Sequence, residues 1–214
     1  MYEASKRLAD LAGALTGLLI CAIPMALVAA FVRIRTGPPV LYRDVRAGRN
    51  GRPFVMRKFR TMRVETVDGN GRPLTDDERL TALGRWLRAT SLDELPELLN
   101  VLTGEMSLVG PRPLPVRYLP RYTPEQARRL LVRPGITGWA QINGRNAISW
   151  PEKLALDVWY VDNRSAAVDT RILMLTLSQV AQRRGISAPG HATMPEFDGT
   201  ETPERGAPRE PELP

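Results

Sequence analysis

The chain has 214 residues, enough for one domain with a modest core, and its single cysteine, Cys21, excludes an intrachain disulfide. Its formal charge is +7, and only three of its 30 basic residues are lysines: Lys6, Lys58 and Lys153. An arginine-rich surface suits phosphate-bearing partners (nucleic acid, an anionic membrane or a nucleotide), because guanidinium groups grip phosphate in bidentate fashion.

Residues 11–32, LAGALTGLLICAIPMALVAAFV, carry no charge and are long enough to span a bilayer. Lys6 and Arg7 precede them; Arg33, Arg35, Arg43, Arg46 and Arg49 follow. Basic flanks favour the cytoplasmic side, so a flank at each end argues against a simple crossing. Pro24 lies mid-run, where it removes a helical hydrogen bond and kinks the chain. The expectation is a re-entrant helix, broken near Pro24, with both ends in the cytoplasm.

VLYRDV and PFVMRKF then read as strands joined through Asn50-Gly51, a β-hairpin over 40–59. Alternation puts Phe54, Met56 and Lys58 on one face and Val55, Arg57 and Phe59 on the other. Residues 64–77 are turn-rich and read as a mobile loop. Helices are expected near 77–89, with Leu80, Leu83 and Leu87 on one face, and from Pro96 to just before Gly104. Further helices are expected over 124–132, 151–163 and 169–183, the first two opened by a proline. From 186 onward the chain is polar and Pro-rich and reads as a largely disordered tail.

The stretch SLDELPELLN sets Asp93 beside Glu94 at the start of a helix. One reading is a capping box, Ser91-x-x-Glu94, with acids favouring the helix dipole. The other starts the helix at Pro96, which leaves both acids just outside its positive end. There a carboxylate stays ionised, can attack phosphorus, and can share a divalent cation with its neighbour. Candidate phosphate ligands are Lys58 and Arg60 in KFR, Arg88, Arg112 between two prolines, and Arg145 in a Gly/Asn loop. Pro111 and Pro113 stiffen the backbone around Arg112 and lower the entropy cost of holding a ligand. Arg57, Arg85 and Arg128 read as solvated surface charges. No Walker A sequence, GxGxxG or GxSxG elbow is present, and the one histidine, His191, lies in the tail.

Taken in order, KFRTM, LGRWLRATSLDELPELLNVLTGEMSLVGPRP, VRPGITGWAQINGRNAISW, LDVWYV and GHATMPEFDG resemble the bacterial sugar transferase family, the small monotopic phosphoglycosyl transferases of the PglC type. The resemblance covers roughly residues 3–185. It implies an α+β, mainly helical fold: a re-entrant membrane helix with a proline break, a small β-hairpin, and a cytosolic helical catalytic domain with surface amphipathic helices. The corresponding divisions are 1–36, 37–185 and a tail over 186–214. Where the family carries serine before the proline, this chain has Ile23.

The implied reaction moves a phospho-sugar from a UDP-sugar to polyprenyl (undecaprenyl) phosphate and releases UMP, at the cytoplasmic face of the bacterial inner membrane. UDP-N,N′-diacetylbacillosamine or a related N-acetylated sugar is the implied donor. Asp93 would be the nucleophile, Glu94 its assistant, and the pair would hold Mg²⁺. Lys58, Arg88 and Arg112 would contact the diphosphate or sugar, with Arg145 and Asp157 near the nucleotide. The alternative is a non-enzymatic, membrane-anchored basic module that binds anionic lipid. Nucleic acid is not expected as a partner, because stacking aromatics are not interleaved with the basic residues.

Overall fold

The computed structural model describes residues 2–144, 148–182 and 196–199. Its longest element is α1, Tyr2–Thr36, about 52 Å of helix at 1.5 Å per residue. One face packs on the rest of the chain and buries Asp10, Ala14, Val28 and Val32. The opposite face is bare and apolar, exposing Leu15, Leu19, Ile20, Ile23, Leu27, Phe31 and Ile34. Gly13 permits the close approach, since a Cβ there would stand 2.6 Å from Leu108. The break expected at Pro24 does not interrupt the helix, which continues on both sides of the exposed proline. Proline removes one hydrogen bond and crowds the Ile20 carbonyl, and protein contacts hold the helix before and after that point.

Strands β1 (Leu41–Ala47) and β2 (Pro53–Phe59) form the expected antiparallel hairpin, with Tyr42 opposite Lys58 and Asp44 opposite Met56. Asn50 and Gly51 take φ of 57° and 72° at the turn, the left-handed region those residues tolerate. Phe54 and Met56 pack with Ala14, Leu98, Val101 and Met106. Phe59, expected on the outer face, is buried as well, against Val28, Val32 and Leu87. The far end of the hairpin is covered on both sides, which alternation along a single strand does not reveal.

The helix expected over 77–89 is two: α2 (Asp76–Arg79) and α3 (Ala82–Thr90). Leu80 is extended, and Thr81 restarts the helix by accepting a hydrogen bond from the Gly84 N–H. Helix α4 (Glu97–Thr103) begins just after Pro96 and ends at Gly104, as the proline and glycine suggest. The parallel pair β3 (Ser107–Val109) and β4 (Gly135–Thr137), three residues each, has no counterpart in the sequence reading. Helices α5 (Pro124–Ala127), α6 (Trp139–Ile142), α7 (Trp150–Asn163) and α8 (Ala166–Gln182) complete the fold. Capping boxes at Thr123/Gln126 and Ser149/Glu152 set the starts of α5 and α7. Most of the tail expected to be disordered lies outside the described residues, but within 196–199 the Phe197 side chain is buried.

Candidate active site

Ser91 closes α3 in the left-handed region, at φ 56°. Its side chain caps nothing, so the Ser91-x-x-Glu94 box does not form. A single 3-10 turn, Leu92–Glu94, instead presents both acids ahead of α4. Glu94 is therefore free for other partners, and it has two. Lys58 Nζ lies 2.6 Å from its Oε1, and Arg112 Nη2 donates to the same oxygen. Lys58 is shared with a third acid, Glu97, at 3.1 Å. The Asp93 carboxylate is buried and accepts no hydrogen bond from the described residues.

Non-local contacts set this geometry. Asn100, on α4, accepts from the Arg57 N–H at 3.2 Å and donates to the Val55 carbonyl at 2.7 Å, which locks β2 onto α4 and puts Lys58 above the acids. Arg112 is steadied from behind. Arg129 Nη2 donates to the Arg112 carbonyl at 2.6 Å, and Arg129 is paired with Asp157 at 2.8 and 3.0 Å. Both members of that pair have side chains only 2% exposed. Arg88 donates to Thr61 Oγ1 at 3.2 Å, on the side of Asp93 served by α3.

The electrostatics separate the three acids. Burial pushes the Asp93 carboxyl up, and the charge of Glu94 adds to this; Lys58, Arg88 and Arg112 pull it back. Burial also acts on Glu94, but Arg112 and Lys58 outweigh it and hold that carboxyl well below the usual range. Burial pushes Glu97 up to about 7 against the attraction of Lys58. Lys153, one turn before Asp157 on α7, is pulled down to about 8 by burial and then by Arg112.

Of the residues singled out from the sequence, Lys58, Asp93, Glu94 and Arg112 meet in one cluster, with Arg88 beside it. Asp157 is not presented to solvent; it sits behind Arg112 as the partner of Arg129. Arg145 lies outside the described residues. Arg60 is no phosphate ligand here: its guanidinium caps the end of α1 through the carbonyls of Thr36, Gly37 and Pro38. Arg57 keeps its surface role, paired with Glu105 at 3.5 Å. Glu97, Asn100, Arg129 and Lys153 were missed. For Glu97 a signal existed, because it follows Asp93 and Glu94 at i+4 and i+3. Arg129 and Asp157 are 28 residues apart, and no local pattern pairs them.

The cluster is thus a carboxylate without hydrogen-bond donors, a second carboxylate clamped by two cations, and further cations at its edge. Among the described residues no group of three or more metal-ligating side chains is arranged around a common point. Mg²⁺ needs less, since it takes one or two carboxylates and completes its shell with substrate phosphate and water. The Asp93 oxygens, which accept no hydrogen bond from the described residues, beside charged Glu94 fit that mode.

The model of the bacterial sugar transferase family matches residues 1–183, a span that includes every residue of this cluster. The chain belongs to that family. This sugar transferase is 53% identical over 195 residues to a Bacillus subtilis protein named uncharacterized sugar transferase EpsL, covering 91% of this chain and 96% of that one. It is 40% identical over 186 residues to the Escherichia coli UDP-glucose:undecaprenyl-phosphate glucose-1-phosphate transferase, covering 80% of this chain and 39% of that protein. With the Salmonella typhimurium undecaprenyl-phosphate galactose phosphotransferase the identity is 38% over 184 residues, covering 78% and 39%. The chain spans nearly all of EpsL but well under half of the other two.

Proposed function

We propose that this sugar transferase moves a phospho-sugar from a UDP-sugar to polyprenyl phosphate in two steps. The observation that carries the reading is the division of labour between adjacent acids: Glu94 is clamped by Lys58 and Arg112, whereas Asp93 has no donor among the described residues. An uncommitted carboxylate retains its lone pairs for attack. Asp93 attacks the phosphorus that bears the sugar, the bond from that phosphorus to the bridging oxygen breaks, and UMP leaves with the electron pair. A phosphate oxygen of the lipid then attacks the phosphoglycosyl-aspartate, and Asp93 departs as carboxylate. Lys58, Arg88 and Arg112 neutralise the diphosphate so that an anion can approach it. Asp93 and Glu94 would hold Mg²⁺, which would offset charge on the diphosphate. A module that only bound anionic lipid would gain nothing from three carboxylates set among its cations.

α1 supports the membrane side of this reading. At its start, Lys6 and Tyr2 bond to Asp169 and Arg7 donates to the Val101 and Leu102 carbonyls; at its end, Arg60 takes the last carbonyls. Both ends are fastened to one charged domain, which supports a helix whose two ends stay on one face of the membrane, the cytoplasmic face of the inner membrane, with its bare apolar side against lipid. Exposed Leu173, Met174, Leu175 and Leu177 on α8 suit the same interface. The donor sugar is open between the N-acetylated sugar implied by the resemblance and the glucose and galactose in the relatives' names. Detergent-solubilised protein should therefore be offered a panel of UDP-sugars, including these three, with undecaprenyl phosphate and Mg²⁺. Sustained UMP release that needs the lipid, after at most one equivalent released without it, supports the reading. No release from any donor contradicts it.

A further inference from the structure

The family model's match ends at residue 183, and residues 196–199, from the closing GHATMPEFDG stretch, also pack on the domain. Phe197 is 1% exposed. Its ring lies 5.6 Å from Tyr118, 5.7 Å from Tyr122 and 5.3 Å from Trp150, and Leu114 and Leu154 close the pocket. Its N–H donates to Tyr118 Oη at 3.2 Å, and its carbonyl accepts from Arg121. Glu196 takes Arg117 at 3.1 Å and Arg121 at 3.0 Å. The exposed ion pairs are worth little; the buried ring and the two main-chain bonds make the attachment specific.

The pocket backs onto the active site. Trp150 and Leu154 belong to the first turns of α7, and the next turn carries Asp157. Asp157 holds Arg129, and Arg129 holds the carbonyl of Arg112. Tyr122 stands between the two systems: one face of its surroundings is Phe197, and the Arg129 guanidinium lies 5.8 Å from its ring centre. We infer that Phe197 is a positioning residue for Arg112: docked, it clamps α7 against the 3-10 segment Val116–Arg121 and so sets the Arg129–Asp157 pair on which the Pro111-Arg112-Pro113 arm rests. This inference depends on the reading of Arg112 as a phosphate ligand, and it predicts a loss of substrate grip rather than of the nucleophile.

The test uses the full chain with Phe197→Ala and the milder Phe197→Leu, each read by steady-state kinetics and by hydrogen exchange in detergent. Phe197→Ala should raise KM for the UDP-sugar about tenfold with kcat changed less than about threefold, as expected when positioning of a binding group is lost. Phe197→Leu should recover most of that loss. Exchange should quicken at Ala47 and Gly135, whose N–H groups donate to the Leu114 and Pro111 carbonyls on either side of the arm, and at 150–157, while α1 and α4 keep wild-type protection. This second readout stands even if the donor is misassigned, so the inference and the proposed reaction fail separately. Unchanged exchange at Ala47 and Gly135 in Phe197→Ala overturns the inference. So does Phe197→Leu with exchange raised equally throughout the chain, because Phe197 would then be an ordinary core side chain.

Discussion

Lys58 organises the chemistry at the scale of single residues, because one ammonium serves two acids of opposite character. Glu94 stays charged beside it, while Glu97, 1% exposed, titrates near 7 instead of near 4.5. The sign follows by linkage. Between those values the folded chain holds a proton that the unfolded chain has released. The stabilisation is complete below pH 4.5 and is lost as pH rises through 7. Glu94 works in the other direction, stabilising the fold above its unfolded value and ceasing to do so only in strong acid. Glu97→Gln should therefore flatten the fall in Tm between pH 5 and pH 8, with a differential of up to about 3 kcal/mol. Thermal unfolding of the two proteins across that range decides it; parallel curves would mean that Glu97 does not titrate there. Much of this site was legible in the sequence. Adjacent acids before Pro96 and an arginine between prolines are local patterns, and both are in the cluster. The sharing of Lys58 was not legible, because it needs the hairpin laid over α4, and Asn100 makes that contact across 43 residues of chain.

At the scale of elements, short segments aim the cations. β2 delivers Lys58, the 3-10 turn delivers the acids, and the stretch after β3 delivers Arg112. Arg112 is fixed twice, by its flanking prolines and by Arg129 behind its carbonyl. Arg112→Lys keeps the charge but loses the planar fork, so it should lower kcat/KM by about 100-fold. Arg57→Lys lies on the outer face of the hairpin, paired with Glu105, and should change activity less than about twofold. Equal losses in the two variants would show that bulk positive charge, not a shaped site, is at work. Proline, glycine and capping residues marked the hairpin turn, α4 and the starts of α5 and α7. They did not mark the β3–β4 pair, whose three-residue strands are defined by each other, nor the Arg129–Asp157 pair, whose partners meet only when α7 packs on the segment before β4. The helix expected over 77–89 divided because Thr81 is itself a cap, a signal present in the sequence but weaker than the leucine periodicity around it.

For the whole molecule the proposal requires that a soluble nucleotide sugar and a lipid phosphate reach one carboxylate. The answer offered is a domain fastened to both ends of α1, with the bare apolar face of that helix turned to lipid. In a background with Cys21→Ala, single cysteines at the exposed positions Ala4 and Arg35 should both be shielded from a membrane-impermeant thiol reagent in intact cells and both react after lysis. Reaction of the Ala4→Cys protein in intact cells would establish a crossing helix instead, with the catalytic cluster unaffected. Hydropathy made the long apolar helix legible. The fastening was not, because Asp169 and the Val101 and Leu102 carbonyls are brought to the N-terminus of α1 only by the fold. A two-step transfer suits such a site, since the two substrates need not occupy it together. The most direct measurement omits the lipid. Wild-type protein is incubated with a UDP-sugar carrying label in the sugar, then digested and mapped by mass spectrometry. The account predicts a phospho-sugar adduct on Asp93, absent from Asp93→Asn and discharged on addition of undecaprenyl phosphate. UMP release strictly dependent on lipid, with no adduct at any time and turnover retained by Asp93→Asn, would contradict it.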